Sequence, residues 1–334
     1  MGRPSHPLAI VALPSASWSK KLAILWLCLV LLTALLAAVL PLPYAAGVPD
    51  LAHVAVPPFG AGSHWLGTDS LGRDVLSMLI FGARTAVVLT LPAALLSTLL
   101  GALAGGAAGF WGNNARLAAP YWLLAGAGGW WALHLPGGLF GPTVMALGAS
   151  LVLAARLRKR VLPTWPVPIN ALVMGAATTL DTIPRLLLVV AMAAGTGVST
   201  LGMLVLLTLT SWPHPARLVR AQMLRVRTLP FVDAARAVGV PAYKIWLHHA
   251  LPHALQPLRT ALPLSIAGLL GLESTMSFLG IGLPPDVASW GRLMATVRSD
   301  PGAWWTFLFP ATCLIMTMIS LNSISRYRSS HTAA

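Results

Sequence analysis

Behind the charged pair Lys20-Lys21 the chain reads Leu22-Ala23-Ile24-Leu25-Trp26-Leu27-Cys28-Leu29-Val30-Leu31-Leu32-Thr33-Ala34-Leu35-Leu36-Ala37-Ala38-Val39-Leu40, a run without a charge. A helix rises about 1.5 Å per residue, so a run of this length crosses the ~30 Å hydrocarbon layer of a bilayer. Ala45-Ala46-Gly47 follows and resembles a signal-peptide cleavage site. The apolar region of a signal peptide is only about 7–15 residues long, so the run is read as an anchor helix. Comparable runs recur at about 86–108, 119–135, 139–155, 169–194, 200–212, 258–279 and 304–321. Pro136-Gly137-Gly138 makes the turn between the third and fourth. The predicted fold class is all-α, a polytopic transmembrane helical bundle of eight spans.

Composition agrees. The 334 residues are 57% hydrophobic and 9% charged, against about 25% charged in a soluble domain, and mean hydropathy is +0.77. Soluble globular, disordered and collagen-like classes are excluded. A β-barrel would show alternating segments of about ten residues, which long continuous runs do not. Cys28 and Cys313 both sit inside apolar runs and read as small core residues.

The net charge of +14 suggests nucleic acid, but the cations lie in short clusters between apolar runs. That is the positive-inside pattern, and no nucleic-acid partner is expected. With the N-terminus in the cytoplasm, 17 of the 22 Lys and Arg fall inside. Only Arg73, Arg84, Arg292 and Arg298 fall outside, and Arg185 lies within a span. Eight spans then place the C-terminus in the cytoplasm too. The cluster Arg156-Leu157-Arg158-Lys159-Arg160 closes the hairpin at 119–155 on the inner side. Trp130-Trp131 and Trp304-Trp305 fall near outer interfaces, where aromatic belts form.

The longest polar stretch inside runs from about 213 to 256. In it Asp233 is placed to cap a helix that Ala234, Ala235 and Ala237 favour. Gly239, with Pro241 two residues on, stops that helix and starts another, which ends at Pro252. The second helix offers Tyr243, Ile245, Trp246 and Leu247 as an apolar surface. Two exposed, partly apolar helices at an angle suit a docking element for a soluble partner.

This stretch resembles the Glu-Ala-Ala loop of ABC-importer permeases: Glu-Ala-Ala, three residues, Gly, nine residues, Ile, one residue, Leu-Pro. Asp233 stands for the Glu, His249 for the Ile, and Gly239 and Leu251-Pro252 fall at the right spacing. His248-His249-Ala250-Leu251-Pro252 is similar to the Arg-His-Ile-Leu-Pro of the dipeptide/oligopeptide/nickel branch. His64-Trp65-Leu66-Gly67-Thr68-Asp69-Ser70-Leu71-Gly72-Arg73-Asp74-Val75-Leu76-Ser77, with Gly82-Ala83-Arg84 behind it, resembles that branch's early signature. Glu273-Ser274-Thr275-Met276-Ser277-Phe278-Leu279-Gly280-Ile281-Gly282, with Ser289-Trp290-Gly291, resembles its late one. The likeness covers about 64–112 and 181–325 and is strongest to the C-type subunit of the permease pair. The hairpin at 119–160 is extra to the family's six-span type I importer core. The family's tail after Asn322 is replaced by Ser323-Ile324-Ser325-Arg326.

The first apolar run sets an anchor helix and outer segment over 1–63, and the resemblance implies a permease domain over 64–325, with the coupling loop at about 213–256, followed by a short cytoplasmic tail over 326–334. It further implies a bacterial inner-membrane location and a heterodimer with a homologous permease. Two cytoplasmic ATPases would bind ATP and Mg, and an extracytoplasmic protein would bind the substrate. Peptides, nickel or metal chelates would be imported. Helices 233–252 would couple the ATPases to the pore.

Within the spans, Glu273, Asp181 and Arg185 are the polar candidates. A mid-bilayer charge costs about 2.5–3.5 kcal/mol on insertion scales, so Glu273 is expected to face the bundle interior. There it either lines a path or bonds a neighbouring helix. Asp181 and Arg185, four apart, are expected to pair on one helix face, with Pro184 kinking the helix. These three also support the alternative of an ion-coupled secondary transporter. His214, His248, His249 and His253 lack an accompanying carboxylate or Cys, and no metal site is expected. No Gly-x-x-x-x-Gly-Lys-Ser/Thr, Gly-x-Ser-x-Gly or His-Glu-x-x-His is present, so neither a catalytic set nor a bound cofactor is expected in this chain. Gly67 to Asp74 is expected to cap a turn and start an amphipathic helix on the outer surface.

Overall fold

The computed structural model describes residues 16–60, 64–118, 164–194 and 199–332. The spans expected at 119–135 and 139–155, and the rest of that hairpin to 160, lie outside these residues. The regular structure of the described chain is almost wholly helical. Its long helices are α1 (Ala16–Leu36), α2 (Val75–Trp111), α10 (Leu258–Phe278) and α12 (Trp305–Thr332). Each is long and apolar enough to cross a membrane. A fifth candidate is a bent pair, α3 (Ile169–Thr182) and α4 (Arg185–Ala194).

Two differences from the sequence reading concern spans. The expected span at 169–194 is broken: α3 and α4 meet at 84°. Pro184 supplies no N–H and disfavours helix at Ile183, which takes the extended values φ −92° and ψ 126°. The span expected at 200–212 does not end there. α5 (Thr200–Ser211) is only about 18 Å long at 1.5 Å per residue. Trp212 keeps helical angles and the chain continues into α6 (Pro213–Val226). Proline in the first turn of α6 gives up an N–H that no carbonyl there needs. Arg217, Arg220 and Arg225 place this helix in the polar stretch expected from about 213.

One face of α2 explains where α6 sits. Gly101, Gly105 and Gly109 recur every four residues and present bare backbone. A β-carbon on Gly101 would come 2.6 Å from the Trp212 carbonyl, one on Gly109 2.7 Å from Met223 Cβ, and one on Gly105 would overlap the Ala216 carbonyl. Small residues at this spacing allow two helices their closest approach. Ala216, Val219 and Met223 of α6 are fully buried there.

Around this pair the bundle closes in clusters. Leu89 and Ala93 of α2, Val189 of α4, Met203 and Leu207 of α5 and Leu269 of α10 form one core. α1 lies on the outside, its Trp26 Nε1 donating to Thr317 Oγ1 of α12 at 3.0 Å. The exception to all-helix is a two-stranded antiparallel ladder, β1 (Ala115–Ala118) with β2 (Thr164–Val167), registered Ala115 to Val167 and Ala118 to Thr164. It joins the two ends of segment 119–163.

Short helices occupy the two ends of the bundle. At the end where α2 begins stands α11 (Trp290–Ala295). At the other end stand α7 (Pro230–Ala237), α8 (Ala242–Lys244), a π-turn (Ile245–Ala250) and α9 (Leu251–Ala254). The last three run on as one helical rod over 242–254. The sequence places its end at Pro252, but the rod runs on through Pro252 to Ala254. The wide turn ahead of Pro252, closed by the Leu251 N–H on the Trp246 carbonyl, makes room for a ring that has no N–H to give.

Candidate functional site

At the α2-head end, the early signature folds into a knot. Gly67 and Gly72 adopt φ +80° and +78°, the left-handed region that suits glycine. Any β-carbon on Gly72 would overlap the Asp50 carbonyl, and one on Gly67 that of Val56. Asp69 is fully buried. Its Oδ1 accepts the N–H groups of Leu71 (2.9 Å) and Arg73 (2.8 Å), and its Oδ2 accepts Arg73 Nε (2.7 Å). Thr68 Oγ1 donates to the His53 carbonyl at 2.6 Å and accepts the Val56 N–H at 2.9 Å. Trp305 Nε1 donates to the Thr68 carbonyl at 3.0 Å, tying the knot to α12. A helix does start here, with Asp74 as its cap, accepting the Ser77 N–H at 2.8 Å. That helix is the spanning α2 rather than a separate surface helix.

The late signature packs beside it. Ser289 caps α11 by accepting the Arg292 N–H. Trp290 Nε1 donates to the Leu79 carbonyl at 3.0 Å, and Gly291 lets α11 approach the Ser274 carbonyl. Arg292 donates to the carbonyls of Leu283 (2.6 Å), Val287 (3.1 Å) and Pro284. Glu273 is 1% exposed and accepts from Ser277 Oγ (2.8 Å) and Ser274 Oγ (3.3 Å) of its own helix.

The opposite end carries the Glu-Ala-Ala-like stretch. α7 ends in a Schellman motif: the Gly239 N–H reaches the Arg236 carbonyl and the Val240 N–H the Ala235 carbonyl. Gly239 takes φ +82°, with open space where a β-carbon would stand. Asp233 is not the cap. Leu229 holds that position, and Asp233 sits in the first turn of α7, bonded to Arg236 at 3.0 Å. A carboxylate there favours the helix dipole without closing the end.

The apolar surface of the rod also differs from expectation. Ile245 is fully buried. Trp246 turns inward, its ring 5.1 Å from that of Trp111 at the end of α2 and its Nε1 buried. The cause is phase: the π-turn adds a residue, which rotates the rod so that Ile245, Ala250, Leu251 and Ala254 share the buried face. The outward apolar residues are Val238 (83% exposed), Tyr243 (58%) and Leu247 (44%). Ala234 and Pro252 are exposed, Ala235 half-buried and Leu251 buried.

Between the two ends, the α3–α4 break borders two cavities of about 460 and 340 Å³. Asp181, Arg185 and Gly268 line both; Glu273 lines neither. Asp181 and Arg185 do not pair as expected, because the 84° break removes the common helix face. Arg217 of α6 takes the Asp181 carboxylate instead, and reaches Thr178 Oγ1 at 3.5 Å. Only the recognition that 213–226 is helix would have placed an arginine there.

Residues 146–330 match the family model described as binding-protein-dependent transport system inner membrane component. A protein of Brucella suis named as a peptide transport system permease is 30% identical over 298 residues, covering 88% of this chain and 81% of that one. The dipeptide transport system permease protein DppC of Bacillus subtilis is 27% identical over 311 residues, covering 91% and 78%. A solved structure of the MetNI methionine ABC transporter in inward-facing conformations superposes with a TM-score of 0.48 at 17% identity, over 76% of this chain and 95% of that one. The chain belongs to the family of inner-membrane components of binding-protein-dependent transport systems, the permeases of ABC importers. It is a membrane transport component, similar over most of its length to peptide permeases.

Proposed function

We propose that this chain is one half of the pore of a peptide importer, paired with a homologous permease and driven by two separate ATPases. The observation that carries the reading is the exposed corner Val238–Leu247. Its helix-stop, turn and apolar residues form one rigid projection at a single end of the bundle. Packed on α2 and α6, the corner can pass an ATPase movement to the long helices as a rigid body. The N- and C-termini and this corner lie in the cytoplasm of a bacterial cell, and the signature knot faces outward toward a substrate-binding protein. The bias of Lys and Arg supports that orientation. The cavities at the α3–α4 break, with Asp181, Arg185 and Arg217, are the part of this chain that lines the path. Their polar lining suits the charged ends and backbone groups of short peptides. Nickel and metal chelates are the other substrates that the signatures allow. Glu273 holds α10 together and does not touch the substrate.

The test is uptake of a labelled dipeptide into proteoliposomes holding both permeases and the ATPases, with the binding protein added on the substrate side. Uptake requires ATP and all components. Uptake that persists without the ATPases, driven by a proton or sodium gradient, overturns the reading in favour of an ion-coupled transporter.

A further inference from the structure

The loop between α1 and α2 brings Asp50 and His53 up against His64 and Asp74, the two ends of the early signature. His64 is 2% exposed, its ring stacked on Tyr44 with centroids 3.9 Å apart. Its Nδ1 lies 3.0 Å from Asp74 Oδ1. The other Asp74 oxygen takes the Ser77 N–H at the head of α2. With Asp74 accepting at the head of α2, it is also the acceptor toward the imidazole, and His64 Nδ1 is the donor.

His64 Nε2 faces Asp50 Oδ2 at 3.5 Å, and His53 Nδ1 lies 2.9 Å from the same oxygen. Asp50 Oδ1 is already occupied by the Ala52 N–H at 3.0 Å, leaving Oδ2 as the converging atom. In neutral His64 the Nε2 lone pair confronts a carboxylate oxygen. Two acceptors face each other, and a cation between them turns repulsion into attraction.

The dimensions suit a metal. Donor atoms of Asp50, His53 and His64 all lie within 4.8 Å of one another. Bonds of about 2.0–2.2 Å in a tetrahedral site set donors roughly 3.4 Å apart, so small side-chain adjustments close the set. A carboxylate bonded to the rear nitrogen of a ligating histidine is the usual support of such a site, and Asp74 is so placed. Access is open, since the His53 and Asp50 side chains are 43% and 30% exposed. The loop is also held in place before any ion arrives. The Asp50 N–H donates to the Gly72 carbonyl at 2.9 Å and Pro49 pairs with Arg73.

We propose that Asp50, His53 and His64 bind one divalent first-row transition-metal ion, with water completing its coordination and Asp74 orienting His64 from behind. Two imidazole nitrogens and one carboxylate oxygen favour zinc-like ions over calcium or magnesium. The ion clips the loop at 41–60 to the head of α2. It depends on neither the transport reading nor the substrate.

The test is Zn²⁺ titration of the purified full chain in nanodiscs by isothermal calorimetry, with a tag free of histidine. His53→Ala should remove one bound Zn²⁺ per chain. The half-exposed position of His53 keeps that variant folded. Asp74→Asn preserves a good helix cap and should weaken the site about 10–100-fold. A chain with His248, His249 and His253 all replaced by alanine should keep it. Wild type that binds no Zn²⁺, or binds the same number with the same affinity as His53→Ala, overturns the proposal.

Discussion

Val238→Asp is expected to leave the permease folded and inserted while abolishing ATP hydrolysis stimulated by the loaded binding protein. Val238 is the most exposed apolar residue of the corner and contributes nothing to its packing. A carboxylate there costs the bundle little, since it stays in water until a partner covers it. Once covered by an apolar groove it must shed its hydration or stay out. Removing a central apolar anchor from an interface costs about 2 kcal/mol, a roughly 30-fold drop in affinity for the ATPases. Co-purification of the ATPases and hydrolysis rates in nanodiscs measure the effect. Tyr243→Ala should act in the same direction but more weakly. Trp246→Asp is a different experiment: with its ring against Trp111 and its Nε1 buried, the variant damages the fold itself.

Gly105→Leu should prevent accumulation of folded protein. The β-carbon alone overlaps the Ala216 carbonyl, and backbone on both helices leaves no flexible side chain to yield. Gly105→Ala already forces α2 and α6 apart, and overpacking of this kind costs about 1–3 kcal/mol. Gly175→Leu is the control, because Gly175 on α3 has nothing within 4 Å of a β-carbon. Thermal unfolding in detergent should show a depressed midpoint for Gly105→Ala, no folded protein for Gly105→Leu and an unchanged midpoint for Gly175→Leu. Equal stability of all three would mean that α6 does not pack on α2.

The parts of this architecture that chain-local chemistry controls were legible in the sequence. The spans of α1, α2, α10 and α12 follow from run length, and the turn at Gly239 from a glycine ahead of a proline. What escaped depends on packing between distant segments or on backbone phase. α6 carries three arginines and lies within the polar stretch from 213, and its packing partner is a glycine face on α2. The Asp181 partner changed because Pro184 broke the helix instead of bending it. Ile245 and Trp246 belong to the apolar surface expected of the second helix, yet the π-turn at 245–250 buries Ile245 and turns the Trp246 ring toward Trp111. The ladder between β1 and β2 joins strands of four residues each, too short to announce themselves. Asp50, His53, His64 and Asp74 meet only because Gly67 and Gly72 fold the loop back on itself.

Coupling of ATP hydrolysis to the pore requires that the corner at 238–247 meet the ATPases. Cross-linking in the assembled complex reads this out, using a chain free of Cys28 and Cys313 that carries one cysteine at Val238. A short thiol-to-amine reagent should join this chain to an ATPase subunit, and a cysteine at Leu71, exposed at the opposite end, should give no such product. A complex that co-purifies intact but cross-links to the ATPase from position 71 and not from 238 would place the ATPases at the wrong end of the bundle and refute the coupling role of the corner.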